Sequence, residues 1–256
     1  MKIATWNVNS VRSRLERLIA FLGRHDPDIV CLQELKTTEE NFPFDEIKAA
    51  GYHSAIFGQK TYNGVAILSK SEPSDVSRSM TDGAEDPQAR LISADVAGVR
   101  IISGYFPNGG TVGSDKWEYK LDWMKRLGAY LEKHHKKSEA LLLCGDTNIA
   151  LDDKDVANPE SWAETVLCHP EGRAALNDVI AWGLHDVFRE KNPDGGLYSW
   201  WDYRMLGFPK NDGLRIDHIL ATSSLAKKCT AAVIDRDERK GSKPSDHAPV
   251  IAEFSL

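Results

Sequence analysis

Short apolar runs with strand character recur along the whole 256-residue chain, while helical periodicity is far rarer. The runs cover residues 2–5, 28–32, 53–57, 65–68, 91–96, 100–105, 140–144, 215–221, 230–234 and 250–254. Helical spacing is confined to 12–22, with Leu15, Leu18, Ile19 and Leu22 on one face, to 116–134 through Leu121, Met124, Leu127 and Leu131, and to 173–182. Many strands with few helices predict an α/β (α+β) fold of two mixed sheets packed face to face, with helices outside. A parallel dinucleotide-binding sheet would need regular strand–helix alternation and a glycine-rich fingerprint, and neither is present. No linker, repeat or low-complexity tract divides the chain, so a single domain over 1–256 is expected. Residues 71–87, 108–115 and 154–170 read as long loops.

The ends of these runs carry the chemistry. Gln33-Glu34 follows Ile29-Val30-Cys31-Leu32, Gly145-Asp146-Thr147-Asn148 follows Leu141-Leu142-Leu143-Cys144, and Arg215-Ile216-Asp217-His218 opens the run ending near Ala221. Ser245-Asp246-His247 precedes the last run. Each has an ordinary structural use, as a solvated strand-end glutamate, an Asx turn or a structural His–Asp pair. Taken together they deliver carboxylate, amide and imidazole from both halves of the chain, which suits a divalent-metal site for oxygen chemistry. Asn7, Glu34 and Asp246 form a three-oxygen cradle of the kind Mg²⁺ prefers. Asp146 would accept a proton from water, and Asn148 would hold that water or a phosphate oxygen. Asp217 paired with His247 would favour an imidazolium, placed to stabilise charge on a phosphate. His218, next along the strand, points to the opposite face and reads as structural.

Two further segments are suggestive. Tyr105-Phe106-Pro107-Asn108-Gly109-Gly110 ends a strand in a turn that offers a phenol and an amide. Ser199-Trp200-Trp201-Asp202-Tyr203-Arg204 concentrates aromatics, most often a core feature but also a possible stacking wall for an extrahelical nucleotide.

Composition narrows the setting. Apolar content of 41% and charged content of 27% are those of a globular protein. No stretch approaches the roughly 18 apolar residues of a membrane span, and the N-terminus has no apolar leader, so no membrane partner is expected. The four cysteines are dispersed, which predicts reduced thiols and a cytoplasmic location. The net charge of −6 does not exclude nucleic acid, because a carboxylate-rich metal site inflates the acidic count. Arg12, Arg14, Lys36, Lys60, Lys70, Arg204 and Lys210 are candidates for a basic face.

In this order, the motifs from Thr5-Trp6-Asn7 through Leu32-Gln33-Glu34, Tyr62-Asn63-Gly64, Tyr105-Phe106-Pro107-Asn108, Gly145-Asp146-Thr147-Asn148, Trp200-Trp201-Asp202-Tyr203-Arg204 and Arg215-Ile216-Asp217 to Ser245-Asp246-His247-Ala248-Pro249 resemble the exonuclease III-like AP endonucleases of the endonuclease/exonuclease/phosphatase superfamily. The resemblance implies a four-layer sandwich, a Mg²⁺ cofactor with Mn²⁺ as substitute, and a monomer acting on double-stranded DNA. It implies cleavage 5′ to abasic sites, 3′→5′ exonuclease activity and removal of blocked 3′ ends. Glu34 would be the main metal ligand with Asn7 and Asp246 close by. Asp146 and Asn148 would manage the water, Tyr105 and His247 would contact phosphate, and Asp217 would orient His247. Arg12, Arg90, Asn108 and the Trp200 loop would contact DNA, and Trp200, Leu214 and Ile216 would receive the base-free sugar. Asn9 stands where some relatives have Asp, and Leu214 where some have Trp. The alternatives are a member with mainly 3′-exonuclease or 3′-phosphatase activity, a lipid or inositol phosphatase, and a non-catalytic binding protein.

Overall fold

Alternation along the first strand sets the layering. In the computed structural model, which describes residues 1–84 and 86–256, β1 (Lys2–Asn7) sends Ile3 into one apolar cluster and Ala4 and Trp6 into another. A strand's successive side chains point to opposite faces, so a strand apolar on both must be covered on both. The chain continues through α1 (Leu15–His25), β2 (Ile29–Gln33), α2 (Phe44–Ala49), β3 (His53–Phe57), β4 (Val65–Ser69), β5 (Ser74–Arg78), β6 (Leu91–Val96) and β7 (Val99–Tyr105). The second half holds α3 (Asp115–His134), β8 (Leu141–Asp146), α4 (Pro159–Trp162), α5 (Pro170–Ala181), β9 (Leu184–Asp186), α6 (Val187–Lys191) and α7 (Gly207–Lys210). It closes with β10 (Asp217–Thr222), α8 (Ser223–Ala226), β11 (Cys229–Ile234) and β12 (Val250–Phe254).

Two six-stranded sheets result, ordered β11-β12-β1-β2-β4-β3 and β5-β6-β7-β8-β10-β9. Their facing sides share one core, which includes Ile3, Ile29, Cys31 and Ile67 from the first sheet and Ile92, Ile101, Leu142, Cys144 and Ile219 from the second. Leu18, Phe21 and Leu22 of α1 cover the outer face of the first sheet. Met124, Leu127 and Leu131 of α3, with Leu176 and Val179 of α5, cover the second. The expected four-layer α/β sandwich is the observed one.

The two sheets are built alike. Each has one parallel pair, β1 with β2 and β7 with β8, joined over a helix, and all its other pairs are antiparallel. This topological repeat leaves no repeat in the sequence. It brings the C-terminal ends of both parallel pairs to one edge of the sandwich, where Asn7, Glu34, Tyr105 and Asp146 emerge.

Some boundaries differ from expectation. The loop expected at 71–87, in which residue 85 lies outside the described residues, contains β5, a polar edge strand with no apolar alternation to reveal it. β9 is too short to register as a run. Arg215 and Ile216 precede β10 instead of opening it. The buried face of α3 is Trp117, Lys120, Trp123, Met124, Leu127, Tyr130 and Leu131, so Leu121 sits at its margin. His135, just past α3, is half-buried and pairs with Glu139 at 2.9 Å.

Candidate active site

Asp146 ends β8 beside Tyr105, its partner in the parallel ladder with β7. Gly104 and Gly145 are also paired there, and a Cβ on Gly145 would lie 1.8 Å from the Gly104 carbonyl oxygen. Only glycine permits that approach, which sets the spacing between the Tyr105 and Asp146 side chains. Asp217 faces Asp146 from β10. Sequentially distant residues thus meet because three strands end together.

The carboxylate of Asp146 is held from several sides. The Asn7 amide donates to Oδ2 at 2.9 Å, and the Asn148 backbone N–H donates to Oδ1 at 2.9 Å. His247 lies between two carboxylates, with Nδ1 2.9 Å from Asp217 Oδ2 and Nε2 3.7 Å from Asp146 Oδ2. Ser199 donates to Asp217 at 2.6 Å and accepts the backbone N–H groups of Ile216 and Asp217, which fixes the pair. Burial pushes Asp146 up to about 7, against the opposing charge of His247. For His247 burial would lower the pKa, but Asp217 and Asp146 outweigh it and raise it to about 10. The pair therefore holds a cationic imidazole beside a carboxylate poised near neutrality.

Asn148 is clamped, its amide donating to the Phe106 carbonyl at 3.0 Å and its Oδ1 accepting from Asn108 at 3.1 Å. Burial and the charges of Glu34 and Asp146 push the Tyr105 phenol well above its ordinary value, so it stays protonated. Asp246 accepts Asn9 Nδ2 at 2.9 Å and Trp200 Nε1 at 3.1 Å. Burial opposes its ionisation, yet His247 and these two bonds hold it below the usual carboxylate range.

Glu34 has a left-handed backbone, φ 56°, that turns its side chain out of the β2 line into the cavity. Asn9, Ser10, Lys36, Asn63 and Asn148 around it also have positive φ. At Glu34 and Asn148, which line the cavity, side-chain placement outweighs backbone preference. Lys36 Nζ lies 3.0 Å from Glu34 Oε1 and donates to Asn9 Oδ1 at 2.6 Å.

These groups line a cavity of about 240 Å³ whose other walls are Asn108, Leu167, Trp200 and Ile216. Glu34, Asp146, Asp217 and Asp246 outnumber the nearby cations Lys36 and His247, and the excess of hard oxygen donors suits a divalent metal. Asp146, Asp217 and His247 each place a potential ligand atom within 4.8 Å of the others. Both ring nitrogens of His247 already face carboxylates, so this trio reads as an imidazolium held between two carboxylates. Glu34 and Asn7 share the cavity wall, and the partly exposed Glu34 carboxylate could hold a metal there.

The structure brings together Asn7, Glu34, Tyr105, Asn108, Asp146, Asn148, Trp200, Ile216, Asp246 and His247 around this cavity, with Asp217 behind His247. Leu214 is not among the residues lining the cavity: it is buried with Ala150, Val156 and Cys168 and bridges Trp200 backbone to backbone, while Leu167 lines the cavity. Nothing in the sequence marked Leu167, which lies in a segment expected to be loop. Arg12 is exposed on a turn lining a groove of about 780 Å³ with Arg14, Arg17, Tyr203 and Lys243. Arg90 borders a second groove of about 460 Å³ but is anchored, stacking 5.0 Å from the Tyr105 ring and donating to the Tyr105 carbonyl at 3.1 Å. Lys70 does not join the basic face. It pairs with Asp26 at 2.8 Å beside the start of β2, at the opposite end from Glu34. His218 is buried against Thr147, as its place on the strand implied.

A profile of the Endonuclease/Exonuclease/phosphatase family matches residues 4–247. The chain is 41% identical over 266 residues to an exodeoxyribonuclease III of Haemophilus influenzae, covering 99% of this chain and 100% of that protein. Among solved structures, an AP endonuclease from Archaeoglobus fulgidus has a TM-score of 0.97 at 40% identity, covering 100% of both chains. The 3′ phosphatase NExo from Neisseria, bound to a product DNA hairpin, has a TM-score of 0.96 at 41% identity, also over 100% of both.

Proposed function

This chain belongs to the endonuclease/exonuclease/phosphatase family, and from that premise we propose that it cleaves duplex DNA on the 5′ side of abasic sites. It is a metal-dependent repair nuclease with exonuclease and 3′-end-cleaning activity. The observation that carries the reading is the pairing of Asp146 with His247 in one cavity that also holds Glu34 and is walled by Trp200, Leu167 and Ile216.

Each side chain then has a task. Asp146, raised toward neutrality, accepts a proton from the attacking water, and Asn7 and the Asn148 backbone fix its two oxygens. The His247 imidazolium, steadied by Asp217, faces the charge that develops on the phosphate oxygens. The Tyr105 phenol and the clamped Asn148 amide offer further donors to the phosphate. Glu34 and Asn7, with Asp246 nearby, would hold Mg²⁺, with Mn²⁺ as substitute, and the ion would neutralise phosphate charge when bound. A sugar without a base is the least costly nucleotide to extrude, and the apolar wall of a 240 Å³ cavity suits it. Asn108 on the cavity wall and Arg12 on the neighbouring basic groove are assigned to the DNA backbone. Four free buried thiols suit the reducing cytoplasm.

Incubation with duplexes bearing an abasic site, a 3′-phosphate or an intact recessed 3′ end, with Mg²⁺ or EDTA, tests the reading. Mg²⁺-dependent incision at the abasic site is expected. Turnover of 3′ ends alone would reject the abasic specificity, and no hydrolysis of any substrate would reject the whole reading.

A further inference from the structure

Lys120 is a lysine on the wrong face of its helix. It lies among Trp117, Trp123, Met124 and Leu127 on the buried side of α3 and has no exposed surface. Burial pushes the Lys120 amine down to about 7, and a buried ammonium is costly unless every N–H has an acceptor. Here each does: Nζ donates to the carbonyls of Asn108 at 3.1 Å, Asn148 at 2.8 Å and Val166 at 2.8 Å. The neighbouring Gly109 leaves room for it, since a Cβ there would lie 3.0 Å from Lys120 Cδ.

The three carbonyls belong to segments far apart in sequence, and each segment places one residue on the cavity wall: Asn108, Asn148 and Leu167. Above the ammonium, Asn108 and Asn148 meet through their side-chain amides. Among the described residues, no other side chain hydrogen-bonds the carbonyls of all three segments. We propose that Lys120 is a positioning residue, fixing from beneath the backbone of the loops that present Asn108, Asn148 and Leu167 to the substrate. It does not line the cavity, so its effect on turnover passes through those residues, chiefly Asn148. The inference rests on the functional reading above only in that the measured reaction is phosphodiester hydrolysis.

The test is a double-mutant cycle of Lys120→Met and Asn148→Ala, with kcat and KM measured on a cleavable duplex at 25 °C and folding checked by circular dichroism. Folded Lys120→Met is expected to lose about 10-fold or more in kcat with little change in KM, because small misplacements of catalytic groups cost that much. In the Asn148→Ala background the same substitution should cost less than about threefold, since residues acting as a unit are not additive. Wild-type kcat in the folded variant, or a full additional loss on top of Asn148→Ala, would overturn the proposal. Should Lys120→Met fail to fold, Lys120→Gln, which keeps two N–H donors, carries the same comparison. NMR of the Asn108 and Asn148 side-chain amides provides a readout without turnover: shifted signals in the Lys120 variant are expected, and unchanged signals reject positioning. A wild type without hydrolysis would overturn the functional reading and leave the NMR outcome to decide this one.

Discussion

Asp146 and His247 pull each other's protonation in opposite senses, and the residue-scale predictions follow from that coupling. Asp146 is raised to about 7 by burial, so its base form grows as pH rises through that value. His247 is held near 10 by Asp217 and Asp146, so its cationic form is lost only above that. Turnover should therefore rise through neutrality and fall at alkaline pH, as a pH–rate profile would record; a bound metal would move the acid limb lower. Asp146→Asn should lower kcat by about 10² or more while DNA still binds, and should abolish the acid limb. Near-wild-type turnover in that variant would remove Asp146 from proton transfer. At this scale the sequence was most legible for carboxylates and imidazoles, whose chemistry is written in their identity. It was least legible for Lys120 and Leu167, one hidden by a helix face and the other by an irregular segment.

Strand ends hold these groups in register, and a change there acts on whole elements. Gly145→Ala would drive a Cβ against the Gly104 carbonyl and separate β7 from β8. A loss of at least about 3 kcal/mol in urea unfolding is expected, toward the upper end of overpacking costs; a stable, active variant would show that the strands tolerate the wider spacing. The histidines His218 on β10 and His247 beside it are shifted in opposite senses. Burial, aided by the charge of Arg215, lowers His218 to about 4 from an ordinary 6.5, whereas Asp217 serves the raised His247. For His218 the unfolded chain binds the proton more readily, so its share of stability is present above about 6.5 and is lost as pH falls toward 4. For His247 the share is present below about 6.5 and is lost as pH rises through 10. Melting temperature should fall below pH 6 by an amount reduced in a folded His218→Asn variant; an unchanged acid slope would contradict the burial argument. The element pattern itself was readable where apolar alternation was strong, as at 53–57, 91–96 and 250–254. It failed at β5, where an edge strand needs no apolar face.

Across the molecule, fold and chemistry are separable because the apolar clusters lie between and outside the sheets, while the site occupies one edge. Removing metal with EDTA should abolish nuclease activity and leave the circular dichroism spectrum intact; unfolding on chelation would mean that the ion is structural. Restored Mg²⁺ should return activity and raise the melting temperature modestly, as expected for a ligand of the native state alone. The order of apolar runs and the polar residues closing them determined the class of fold and named most of the side chains gathered around the cavity, because strand alternation and side-chain chemistry are local properties. Tertiary structure alone decided that the two sheets repeat one topology, that Leu167 and not Leu214 lines the cavity, and that Lys120 ties three loops together. Those facts depend on which distant segments pack against each other, and packing of that kind leaves no periodic trace along the chain.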